Sequence, residues 1–128
     1  DELIVSGNVF VQGTLDAHTK NFKIPHPTKE GYYLIHSSLE GAERGIYHRG
    51  KLEGSNIIDL PEYWEGLADE ITITVQLTPA GNSCQHYIKT ITKNQIVVGC
   101  ECGKPNCHYI VYAERTDQGK FELLESKE

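Results

Sequence analysis

Residues 71 to 77 read Ile-Thr-Ile-Thr-Val-Gln-Leu, an unbroken alternation of apolar and polar side chains. Strand side chains point to opposite faces in turn, so Ile71, Ile73, Val75 and Leu77 fall on one face and Thr72, Thr74 and Gln76 on the other. This is the pattern of a strand with one buried side. Moving outward, short β-like runs recur at 32–37, 45–49, 56–60, 85–91, 96–98 and 108–114, separated by Gly, Pro and Asn turns. The run at 45–49 is expected to pair antiparallel with the run at 32–37, a core strand, and 121–124 to add a last edge strand. The run at 108–114 is apolar on both faces, which predicts a central position or a subunit interface.

Only Pro61-Glu62-Tyr63-Trp64-Glu65-Gly66 breaks the β pattern. It reads as a single helical turn with Pro at its first position and Gly at its end, and Tyr63, Trp64 and Leu67 would plug one end of the core. The reading is an all-β, sandwich-like domain of about eight to ten strands with one short helical turn.

The chain has 128 residues, the size of one domain, and a formal charge of −6. That charge argues against a nucleic-acid reader or a binder of anionic membranes. No apolar run approaches the roughly 20 residues that span a bilayer, so no membrane insertion is expected. Nor does the start have the form of a signal peptide. The absence of any Met suggests a piece of a longer polypeptide.

Residues 3 to 15, LIVSGNVFVQGTL, read as two short apolar strands with little of their own chain to cover them. They suit either an intertwined β-stalk shared between chains or an ordinary hairpin folded onto the domain. The polar stretch 16–20 is the connector, which gives a segment 1–20 ahead of a domain 21–128.

Candidate chemistry lies in two places. Cys100, Cys102, Cys107 and His108, with Cys84 from another loop, offer donors for a tetrahedral zinc ion. The one-residue gap between Cys100 and Cys102 is shorter than usual ligand pairs, and His108 should face away from Cys107. The same thiols could instead form disulfides, in three possible full pairings, or stay free. In the same loop Glu101, Lys104, Asn106 and His108 are candidate binding residues at a tip. A small metal-dependent hydrolase built on 100–108 is one functional reading.

The second place is 36–49. His36, Ser37, Ser38 and Glu40 superficially resemble a hydrolase set but are too close in sequence to converge as a triad. His36, Glu40 and Arg49 read better as a structural polar network in a β-domain. The tyrosines suit core packing or a sugar platform, depending on which are exposed. Glu101, Asp117, Glu122, Glu125 and Glu128 read as solvated surface.

Residues 21–50, NFKIPHPTKEGYYLIHSSLEGAERGIYHRG, with IIDLPEYWEGL, ITVQLTP and VYAER after them, resemble a domain near the C-termini of tail-fibre and related virion proteins of tailed bacteriophages. The likeness is to T-even-type myoviruses of the marine, cyanophage-like kind. The same pattern occurs upstream of self-cleaving intramolecular chaperones. The resemblance covers about three quarters of the chain. It implies a homotrimer with a β-stalk at 1–20, located in the virion after synthesis in the host cytoplasm. It also implies a structural or adhesive role without enzymatic activity. Expected partners are a host cell-surface glycan or protein receptor and other virion proteins. The loop 99–107 departs from the family pattern, so no binding residue carries over.

Overall fold

The computed structural model describes residues 1–117 and 122–127. Phe121, expected to open the last edge strand, and Glu128 therefore lie outside the described residues, and 122–124 form no strand. The elements run β1 (Asn21–Pro25), β2 (Tyr33–Ser37), β3 (Gly45–Glu53), β4 (Ile57–Asp59) and α1 (Trp64–Leu67). A 3-10 turn (Glu70–Thr72), β5 (Thr74–Pro79), β6 (His86–Ile91), β7 (Gln95–Cys100) and β8 (Asn106–Glu114) follow. Three small antiparallel sheets result: β1-β2, β3-β8-β5 and β4-β7-β6.

The two three-stranded sheets supply one core. Ile46 and Leu52 of β3 and Val111 and Ala113 of β8 meet Ile58 of β4 and Ile96 and Val98 of β7. Trp64 and Leu67 close it, both at 0% exposure. This is the all-β, sandwich-like arrangement that the alternation predicts. Strand β8 is central in its sheet, as two apolar faces require.

Three local expectations need correction. Strand β2 is not a core strand and does not pair with β3; it pairs with β1, while β3 pairs with β8 from Gly45↔Glu114 to Glu53↔Asn106. The nine-residue β8 offers β3 a full-length partner, which the five-residue β2 cannot. Next, the alternation at 71–77 holds only from Ile73 onward. The Asp69 carboxylate accepts the Ile71 N–H at 3.2 Å, and the Thr72 hydroxyl donates to the Asp69 carbonyl at 2.8 Å. These local bonds favour the 3-10 turn over the strand and leave Ile71 95% exposed. Finally, Gly66 lies inside α1 rather than ending it. A Cβ there would sit 2.8 Å from Cβ of Pro27, so its smallness serves the close approach of the β1–β2 turn.

That turn is internally braced: His26 Nδ1 accepts the N–H groups of Thr28 and Lys29 at 3.2 and 2.9 Å. Residues 1–20 form no strand within the single chain, and every one is exposed. Leu3 at 92% and Phe10 at 87% are among the most exposed apolar side chains.

Candidate functional site

A cleft of about 1160 Å³ opens between the β1–β2 hairpin and β3. Its lining includes the three sequence candidates His36, Glu40 and Arg49. They do not bond to one another as a network. The hydrogen bond of His36 runs instead from its Nε2 to the Tyr63 hydroxyl at 3.0 Å, with the two rings 5.3 Å apart. Burial, with the Arg115 guanidinium as a second cause, lowers the His36 pKa below its ordinary value. Arg115 closes one wall and is held by Asp117, which accepts from Arg115 Nε at 2.9 Å and from its Nη2. The acid read as solvated surface is therefore a brace.

His48 joins the same lining from β3. Its Nε2 lies 3.4 Å from the Tyr109 hydroxyl, and burial lowers its pKa as well. Burial raises the Tyr109 pKa, with the Asp59 carboxylate as a second cause. Gly50, beside His48 and opposite Tyr109, has no side chain because the Tyr109 ring lies over it. His48 was legible in principle: it occupies the inward register of Ile46 and Leu52 on β3. Tyr63 and Arg115 reach the cleft from distant segments, which no local pattern signals.

The cysteine region forms a second corner. Cys84 and Cys102 are joined in a disulfide with Cα atoms 6.0 Å apart, while Cys100 and the buried Cys107 are free. Burial, together with nearby Cys100, raises the Cys107 pKa. His86, unremarked in the sequence, ties the corner together. Its Nδ1–H donates to the Cys84 carbonyl at 2.9 Å and its Nε2 accepts the Asn106 N–H at 3.1 Å. Among the described residues no three His, Cys, Asp or Glu side chains are gathered to hold a metal. Of the zinc candidates, Cys84 and Cys102 are bonded to each other, and His108 is exposed on the face of β8 opposite Cys107. Of the tip candidates, Glu101 and Lys104 are exposed in the β7–β8 turn, and His108 stands on the outer face of the sheet. Asn106 is half-buried and serves the corner through its backbone.

The outer face of β3-β8-β5 carries paired aromatics. Tyr47 and Tyr112 face each other across β3 and β8, with exposures of 51% and 40%. Arg49 pairs with Ile110 and Lys51 with His108 in the next outward positions. Rings and cations thus share one surface, and Tyr47 and Arg49 also line the cleft. No family model, no curated protein and no solved structure matches this chain.

Proposed function

We propose that this chain is a virion fibre domain. It forms a homotrimer whose segments 1–20 intertwine as a β-stalk and present the sandwich-like domain for attachment to a host cell surface. The observation that carries the reading is the N-terminal arm. Leu3, Ile4, Val9, Phe10 and Leu15 are exposed, and the arm forms no strand with the described residues of its own chain. Apolar surface of this kind is costly in water and is covered when symmetric copies wrap together. The bacteriophage tail-fibre resemblance of residues 21–79 and 111–115 supports the same reading. In it the protein acts by binding, as part of the virion, with a host glycan or protein receptor and other virion proteins as partners.

A second reading is a registration or docking module that meets another virion protein. The outward Tyr33 and Ile35 of β2, both exposed, favour it. Light scattering of the intact chain is expected to give a trimer, and Phe10→Asp to shift it toward monomer; an intact monomer overturns the proposal. Binding to whole host cells separates attachment from pure registration, which predicts none.

A further inference from the structure

Strand β3 leaves one of its edges open. Among the described residues it pairs with β8 alone. In an antiparallel ladder only alternate residues bond to the neighbouring strand. The Arg115 N–H donates to the Arg44 carbonyl at 2.8 Å and the Gly54 N–H to the Pro105 carbonyl at 3.0 Å. Those two bonds bracket the ladder and put the even-numbered residues of β3 in bond with β8. The N–H and C=O groups of Gly45, Tyr47, Arg49 and Lys51 therefore point the other way. The cleft lies along that edge. Gly45, Ile46, Tyr47, His48 and Arg49 all line it, and consecutive side chains alternate between faces, so it meets β3 edge-on.

Open edges are templates for further strands, and natural sheets blunt them. Of the other edges of the two three-stranded sheets, β4 has three residues, β5 ends on Pro79 and β6 shifts register between Ile88 and Thr90. Strand β3 runs nine residues in unbroken register without proline. Its guard is charge. Lys51 is tied to Glu53 at 2.6 Å, whereas Arg49 is in no ion pair among the described residues. A strand that carries an acid to Arg49 and apolar groups to the inner face, beside Ile46 and His48, satisfies this edge. Glu2-Leu3-Ile4-Val5-Ser6, every residue of it exposed, does both. Run antiparallel with Glu2 opposite Arg49, it sets Ile4 opposite Tyr47 and turns Leu3 and Val5 inward opposite His48 and Ile46. The arm of the same chain leaves from the cleft, where the Lys20 carbonyl accepts the Ser38 N–H at 3.1 Å, yet none of residues 1–19 lines it. Residues 7–20 extend to roughly 45 Å, enough to cross from one domain to the next. We propose that residues 2–6 of a second copy add to the open edge of β3 as an antiparallel strand. The inference rests on the oligomer proposed above and names where the first part of each arm lands, leaving the rest for the stalk.

Residue-resolved amide exchange of the intact chain, read across a dilution series with light scattering in parallel, tests it. In the assembled state the Tyr47 and Arg49 amides should exchange at least about tenfold more slowly than after dilution to the single chain. The His48 and Gly50 amides, already bonded to β8, should change far less. Glu2→Arg and Arg49→Glu, both at exposed positions, should each remove the added protection by placing like charges opposite. The double variant Glu2→Arg/Arg49→Glu restores the pair and should recover most of it. An assembled chain whose Tyr47 and Arg49 amides stay fast sinks the docking alone and leaves the stalk standing. Protection that persists undiminished in the single chain assigns the edge to the chain's own arm and overturns the proposal. So does protection that ignores both single variants, or that the double variant fails to recover. A chain that never assembles sinks the oligomer itself, and this inference with it.

Discussion

His36 and Tyr63, 27 residues apart, share a 3.0 Å hydrogen bond that fastens the β1–β2 hairpin to the turn of chain closing the core. With the close approach of Pro27 to Gly66, it anchors the hairpin against the α1 region while the cleft stays open beside β3. Removing either end should loosen the hairpin before the sandwich. His36→Phe is expected to cost about 1 kcal/mol, the net worth of one hydrogen bond, and to speed amide exchange in β1 and β2 selectively. Uniform acceleration across β7 and β8 would count against this division.

Acid should weaken the fold through the two cleft histidines. His36 and His48 both have pKa values below the ordinary 6.5, principally because burial disfavours the imidazolium. Between that folded value and 6.5 the unfolded chain binds more protons, so stability falls as pH drops through this window and is whole above it. The chemical-denaturation midpoint should therefore decline below about pH 6.5. The decline should be shallower in His36→Gln/His48→Gln. An unchanged slope in the double variant would place the acid sensitivity elsewhere.

The disulfide should matter through the loop it closes. Cys84 and Cys102 are 18 residues apart in sequence, and cross-links spanning loops of that size contribute about 3 kcal/mol by restricting the unfolded chain. Cys84→Ala/Cys102→Ala is expected to lose that amount in oxidising buffer. In reductant, wild type and variant should converge, read from urea midpoints.

Gly50 should not accept a side chain. An added Cβ would lie 2.6 Å from the Tyr109 hydroxyl, and that ring is itself held beside His48. Gly50→Ala is expected to destabilise by about 1–3 kcal/mol through overpacking, with part of the loss recovered in Gly50→Ala/Tyr109→Leu. Thermal melts of the two variants give the comparison.

His86 should be irreplaceable by an apolar ring. His86→Phe keeps the bulk but leaves the Asn106 N–H without its acceptor and the Cys84 carbonyl without its donor. The expected loss is about 1–3 kcal/mol, and His86→Asn should recover part of it.

The alternating segments were readable because period two is a local property, and the positions of β5, β6, β7 and β8 follow from it to within a few residues. What pairs with what is not local. The antiparallel β2–β3 expectation failed because β8, sixty residues on, competes for β3 with two apolar faces and matching length. Asp69 shows the opposite case, a local signal missed: its carboxylate caps the backbone and turns Ile71 out of the strand that the alternation proposed. Three disulfide pairings were open from sequence, and only the meeting of the loop before β6 with the β7–β8 turn selects Cys84 with Cys102. The cleft combined both kinds of information. His36, Glu40 and Arg49 stood out as ionisable groups in apolar runs, but Arg115 and Tyr63 arrive only through tertiary packing.

The central place of β8 governs when this domain can exist. Strands β3 and β5 each pair with β8 and not with each other, so their sheet has no hydrogen-bonded nucleus until residues 106–114 are present. A chain growing on the ribosome must hold Gly45–Glu53 and Thr74–Pro79 unpaired until Asn106–Glu114 has been made. Such distant closures slow folding and leave sticky edges waiting. Completion of the sheet therefore waits, in time, on the arrival of a single late strand.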